Sequence, residues 1–152
     1  VLRQSKVFNI GLNINDIDDA GLIVLAKALP QTQIMNIHLN KNKISDAGAI
    51  ALAEALPTSK VTDIRLNTNN IGDNGTISLA EALPMSKVTD INLMWNKISD
   101  AGAIALAEAL PKSKVTFIEL RNNTIGEVGL IALQSVCRNY NLTSTVDNDC
   151  NL

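Results

Sequence analysis

Ile44 to Pro57 reads ISDAGAIALAEALP, and Ile98 to Pro111 reads ISDAGAIALAEALP again, letter for letter. Pro30, Pro57, Pro84 and Pro111 recur every 27 residues, each closing a copy of this segment, so the chain is a repeat array. Two scaffold segments are identical while the residues between them differ. That contrast separates what the architecture needs from what is free to meet a partner.

Aligned on the prolines, Val7, Ile34, Val61, Val88 and Val115 open successive units, followed by Ile10, Ile37, Ile64, Ile91 and Ile118. Leu12, Leu39, Leu66, Leu93 and Leu120 fill the next slot. In Val61-Thr62-Asp63-Ile64-Arg65-Leu66-Asn67, alternation puts Ile64 and Leu66 on one face and Asp63, Arg65 and Asn67 on the other, which predicts a half-buried strand. From Ser45 to Leu56 the period becomes helical, with Gly48, Ala51, Leu52, Ala55 and Leu56 on one stripe. Ser45 or Asp46 is placed to cap the first turn of its own helix, and Pro57 to stop that helix. One strand and one helix per unit, stacked, predict an α/β solenoid: a horseshoe with a parallel sheet on its concave face and helices on its convex face.

Asn15, Asn42, Asn69, Asn96 and Asn123 recur at one slot. A side-chain amide offers two donors and an acceptor, enough to satisfy turn backbone groups that would otherwise be buried without partners. A structural ladder inside the turns is expected, not a binding site.

These columns spell L-x-x-L-x-L-x-x-N-x-L five times, with Val or Ile in several Leu slots. On that motif the chain resembles the leucine-rich repeat family, in its long-repeat, ribonuclease-inhibitor type. Relatives of that type include ribonuclease inhibitors, activators of the Ran GTPase, NOD-like immune receptors and bacterial effectors. The G-A-x-x-L-A at Gly48 to Ala53 and Gly102 to Ala107 is also similar to a signature of plant-pathogen effectors. A single domain over 1–152 is expected, with 1–5 the tail of a truncated repeat, 6–140 five repeats, and 141–152 a degenerate sixth repeat or cap. Val1, Leu2 and Arg3 align with Ala55, Leu56 and Pro57, which reads as a piece of a longer protein. At the other end Leu142, Thr145, Asp147 and Cys150 take the consensus slots, or a one-residue slip brings in Val146.

A net charge of −2 argues against nucleic acid or anionic membrane as the main partner, since both call for clustered Lys and Arg. Lys60, Lys87 and Lys114 form a column, but Asp63 and Asp90 lie three residues on and Glu54, Glu81 and Glu108 line neighbouring helices, so solvated ladders are expected. No apolar run approaches the roughly 18 residues of a membrane span. Cys137 falls in the leucine column of Leu29, Leu56, Leu83 and Leu110, and Cys150 in the Asn slot. Without cysteine-rich caps the pattern leans to a reducing compartment, and a cytoplasmic location is expected. The sequons at Asn74, Asn122 and Asn141 carry little weight in so Asn-rich a chain.

Catalysis finds little support. His38 is the only histidine, no glycine-rich phosphate loop precedes a helix, and no Cys/His metal spacing is present, so neither an enzyme nor a cofactor or metal is expected. Asp63 and Asp90 are neighbours across strands, but Arg65 balances their charge, and His38 with Asp63 would give only two ligands. The variable strand positions are more informative: Asn9, Asn36, Asp63, Asp90 and Phe117 in one column, then Gly11, His38, Arg65, Asn92 and Glu119. Asn13, Asn40, Asn67, Met94 and Arg121 form a third column, with Ile14, Lys41, Thr68, Trp95 and Asn122 beyond the strand ends. The expected partner-binding set is His38, Asp63, Arg65, Asn67, Asp90, Asn92, Met94, Trp95, Phe117, Glu119 and Arg121.

The expected function is protein–protein interaction through this concave face. The resemblance implies a setting such as a bacterial effector or an immune sensor. A GTPase-activating protein resembling the Ran activator is the alternative, although no catalytic motif of that group can be placed on this chain. A scaffold serving a separate catalytic domain is a third reading.

Overall fold

The computed structural model describes residues 7–140 and 143–144. Strands β1 (Asn9–Gly11), β2 (Asn36–His38), β3 (Asp63–Arg65), β4 (Asp90–Asn92) and β5 (Phe117–Glu119) alternate with helices α1 (Asp19–Ala28), α2 (Asp46–Ala55), α3 (Asp73–Ala82), α4 (Asp100–Ala109) and α5 (Glu127–Tyr140). A two-residue strand β6 (Thr143–Ser144) completes one parallel sheet whose strand order follows the chain. Its register is the repeat itself, since Ile10 pairs with Ile37, Ile37 with Ile64, Ile64 with Ile91 and Ile91 with Ile118. Strands sit about 4.8 Å apart whereas packed helices need about 8–10 Å. Stacking the two side by side therefore curves the array, with the sheet inside.

The core is a set of apolar columns. In the second repeat Ile37, Leu39, Ile44, Leu52 and Leu56 are completely buried, and the third and fourth repeats bury the same slots. Each such side chain contributes roughly 1.5–3 kcal/mol. At the first repeat the strand and turn slots are only partly covered, with Ile10, Leu12 and Ile17 half-buried and Val7 exposed, while Leu29 in the helix-end slot is buried. α2 ends at Ala55 and tightens into a 3₁₀ turn over Leu56–Thr58, where Pro57 lacks the N–H that would continue the α-helix.

Three expectations change. The buried stripe of α2 is Gly48, Ala49, Leu52, Ala53 and Ala55, with Ala51 only partly covered. Ala49 and Ala53 are buried because α1 and α3 flank α2, a lateral contact that single-helix periodicity cannot show. Neither Ser45 nor Asp46 caps α2. Ser45 makes no side-chain cap bond to its own helix, and its N–H and hydroxyl both donate to Asp19 of the preceding helix. Asp46 in turn accepts from Gly72 N–H at the start of α3. The lysine column is solvated as expected: Lys60, Lys87 and Lys114 are exposed, among the described residues they form no ion pair, and Lys60 Nζ donates to the Gln33 side-chain oxygen. Finally, β6 pairs Ser144 with Ile118, which is the slipped register and not the one with Thr145 in the isoleucine slot. The readings placed on Val1 to Arg3, on the Cys137 side chain and on Cys150 fall outside the described residues.

Candidate functional site

The variable residues stand on a frame made rigid by the Asn ladder. Asn69 is 8% exposed; its Oδ1 accepts from Ile44 N–H at 3.0 Å, and its Nδ2 donates to the carbonyls of Leu39 and Leu66 at 3.0 Å each. Asn42, Asn96 and Asn123 make the equivalent bonds back to the preceding repeat. Asn15 is exposed; its side-chain amide donates to Asn13 C=O in its own turn, and its backbone N–H donates to Asn42 Oδ1 of the next repeat. The ladder thus spans repeats as well as closing turns.

A second ladder, not legible from single-helix patterns, runs through Asp19, Asp46, Asp73 and Asp100. Asp73 Oδ1 accepts from Ser99 N–H at 2.8 Å and Gly102 N–H at 2.9 Å, so each carboxylate caps the helix of the next repeat. Asp18, in the slot that Ser45 fills one repeat later, instead caps its own helix through Gly21 N–H. Burial raises the carboxyl pKa of Asp19 and of Asp73, but hydrogen bonds from the following Ser hydroxyl and from two backbone N–H groups outweigh it, leaving both below the ordinary range. The signal available in the sequence was the 27-residue recurrence of Asp beside Gly.

On the concave face, β3 carries a bidentate pair: Arg65 Nε donates to Asp63 Oδ1 at 2.7 Å and Arg65 Nη2 to Oδ2 at 3.1 Å. The Asp63 hydrogen bond holds the Arg65 guanidinium above its ordinary pKa despite partial burial, with the charges of Asp63 and Asp90 adding to it. His38 lies across from Arg65 in the register, and its Nε2 approaches Asp63 Oδ2 at 3.7 Å without forming a hydrogen bond. Asp90 accepts from the Thr89 hydroxyl at 2.7 Å. Two strands on, Arg121 clamps Glu119 through Nε and Nη2 at 3.0 Å each. Glu119 is 4% exposed, so it positions Arg121 and does not itself reach a partner. Asn92 does similar work in the same slot, accepting from Met94 N–H at 3.0 Å. Asn67 and Phe117 are half-buried on the same face. Among the described residues no group of three His, Cys, Asp or Glu side chains could hold a metal ion.

The rim beyond the strands has a distinct backbone. Ile14, Lys41, Thr68, Trp95 and Asn122 all adopt left-handed φ, between 56° and 59°. This slot precedes each ladder Asn, and a turn of this hand suits Asn or Gly and penalises bulky and β-branched side chains. Trp95 is nevertheless there, at φ 56°, and is 56% exposed. Phe117 lies at the opposite end of the strand direction and shares no pocket with it.

Comparison with known proteins agrees with this frame. No curated protein sequence matches the chain. The solved structure of "Leiomodin-1 Actin-Binding Site 2 (ABS2)" is similar at 18% identity with a TM-score of 0.72, covering 86% of this chain and 79% of that one, a likeness of fold. The family model described as Leucine Rich repeat matches residues 36–53, 59–80, 85–107 and 112–133, more than half of the chain. With five parallel strand–helix units in register behind that match, the chain belongs to the leucine-rich repeat family.

Proposed function

We propose that this chain is a non-enzymatic protein-interaction module whose concave sheet binds a partner protein, with Trp95 as anchor and Met94, Arg65 and Arg121 around it. The observation that carries this reading is Trp95 itself: the largest side chain of the array occupies a variable slot at the end of the concave strands and stays 56% exposed. Exposed aromatics and Arg are the side chains that most often dominate an interface. Arg65 and Arg121 are held by Asp63 and Glu119, so their donors are already oriented and little side-chain entropy is lost on binding. The similar leiomodin structure is, by its name, an actin-binding site, which supports a protein partner for this fold.

The finer setting we favour is a cytoplasmic one, within a repeat protein of ribonuclease-inhibitor type such as a bacterial effector or an immune sensor. The identical segments Ile44–Pro57 and Ile98–Pro111, which indicate recently duplicated units, support the effector setting. The test is capture from candidate lysates by the wild-type protein beside Trp95→Ala and Arg65→Ala variants. Proteins lost from both variant lanes define the partner; identical captures in all lanes refute the concave reading. GTP hydrolysis by Ran, unchanged on adding the chain, separates this reading from a GTPase activator.

A further inference from the structure

The convex side carries its own recognition geometry. Because the array fans outward and its helices present alanine to one another, the grooves between them stay open. One of about 460 Å³ between α1 and α2 is walled by Ile23, Ala47, Ile50 and Ala51. Two repeats on, a groove of about 350 Å³ between α3 and α4 is walled by the equivalent Ile77, Ala101, Ile104 and Ala105. Between them, α2 and α3 enclose about 330 Å³. Lys27, Glu54, Glu81 and Glu108 occupy a single repeat position, one per helix, and border these grooves. All four are exposed, and among the described residues none of them forms an ion pair.

From this juxtaposition we infer that the convex face docks an amphipathic helix of a partner, laid across α1 to α4, with one acidic and then three basic residues at successive heptad positions. A heptad advances about 10.5 Å along a helix, close to the roughly 8–10 Å between packed helix axes. Residues seven apart on the partner therefore meet the same position on consecutive helices of this chain. Charged residues at that interval face Lys27, Glu54, Glu81 and Glu108, while apolar neighbours one turn away drop into the alanine-lined grooves, the helix-in-groove mode. Lys27 settles the register. The helices are otherwise so alike that a partner could slide by one repeat; Lys27 is the one cation within this row of four and fixes position and direction along it, while Lys112 borders the α3–α4 groove outside the row. A second copy of this chain is a poor occupant, because antiparallel apposition of two such faces sets Glu54 of one copy against Glu81 of the other.

The test uses two synthetic helices of about 28 residues, four heptads, with leucine on the docking face. One carries Glu-Lys-Lys-Lys at the four heptad positions and the other Lys-Lys-Lys-Lys. Binding is followed by fluorescence anisotropy with the whole chain. The Glu-Lys-Lys-Lys peptide is expected to bind at least about threefold more tightly, the scale of one exposed charge pair. Lys27→Glu should reverse that preference, and the triple change Glu54→Lys, Glu81→Lys, Glu108→Lys should weaken Glu-Lys-Lys-Lys binding by at least about tenfold. Trp95→Ala should leave it unchanged, so the result is independent of the concave reading. All these substitutions are at exposed positions, and circular dichroism confirms the fold of each variant. Equal affinity of the two peptides for the wild-type chain, no reversal in Lys27→Glu, or no binding by either peptide overturns the inference.

Discussion

The carboxylate of Asp73 reaches across a repeat boundary to the N–H of Gly102, at 2.9 Å, and the same close approach of a preceding-repeat Asp at Gly48, Gly75 and Gly129 explains the glycine inside α2 to α5. A Cβ built on Gly102 would stand 2.8 Å from Asp73 Oδ1 and 2.8 Å from Ile98 Cγ2. Alanine is the better helix former by about 1 kcal/mol, but crowding of this kind costs about 1–3 kcal/mol. Gly102→Ala is therefore expected to lower stability in urea unfolding. Gly21→Ala, where the nearest atom among the described residues is the Ile17 methyl at 3.0 Å, should cost less.

The same ladder predicts a pH dependence. Asp19 and Asp73 have folded pKa values below the ordinary 3.8, so the stability they contribute is present above that value. It is lost as pH falls from about 4 through the folded pKa values. Melting temperature should drop steeply across that acidic range in the wild type. In an Asp19→Asn, Asp73→Asn double variant the curve should start lower at pH 7 and fall less; parallel curves would show that the carboxylates are not linked to folding.

Asn69→Leu should destabilise the array by at least roughly 1–3 kcal/mol, the cost of leaving buried turn groups unpaired. The groups in question are Ile44 N–H and the Leu39 and Leu66 carbonyls. Asn15→Leu at the exposed end should cost much less, since Asn15 holds only the Asn13 carbonyl through its side-chain amide. Equal losses at the two sites would contradict an inter-repeat ladder.

What could be read from the sequence followed from its period. A shift of 27 residues places Ile37 on Ile64 and Asn42 on Asn69, so strand register, core columns and the Asn ladder were all legible before any coordinates. The Asp63–Arg65 pair was visible too, because residues two apart on a strand share a face. The same logic would have found Glu119 with Arg121, but not the burial of Glu119, since alternation places it on the open concave face. What escaped were contacts between helices: Asp46 looked like a cap for its own helix, and only packing shows it capping α3. The left-handed turn under Trp95 escaped as well, since Ile14, Lys41 and Thr68 in its slot are not residues that announce positive φ.

The most direct measurement pairs stability with partner capture for Trp95→Asn, beside Glu81→Ala as a convex control. Asn is the residue this left-handed slot favours, and Asn122 already fills it one repeat later. If Trp95 is held there for binding, Trp95→Asn should be as stable as the wild type or more so by about 1 kcal/mol. Its affinity for the captured partner should fall by about 2 kcal/mol, while Glu81→Ala leaves both quantities unchanged. A Trp95→Asn protein that is clearly less stable yet binds its partner as the wild type does would contradict the account and make Trp95 part of the scaffold.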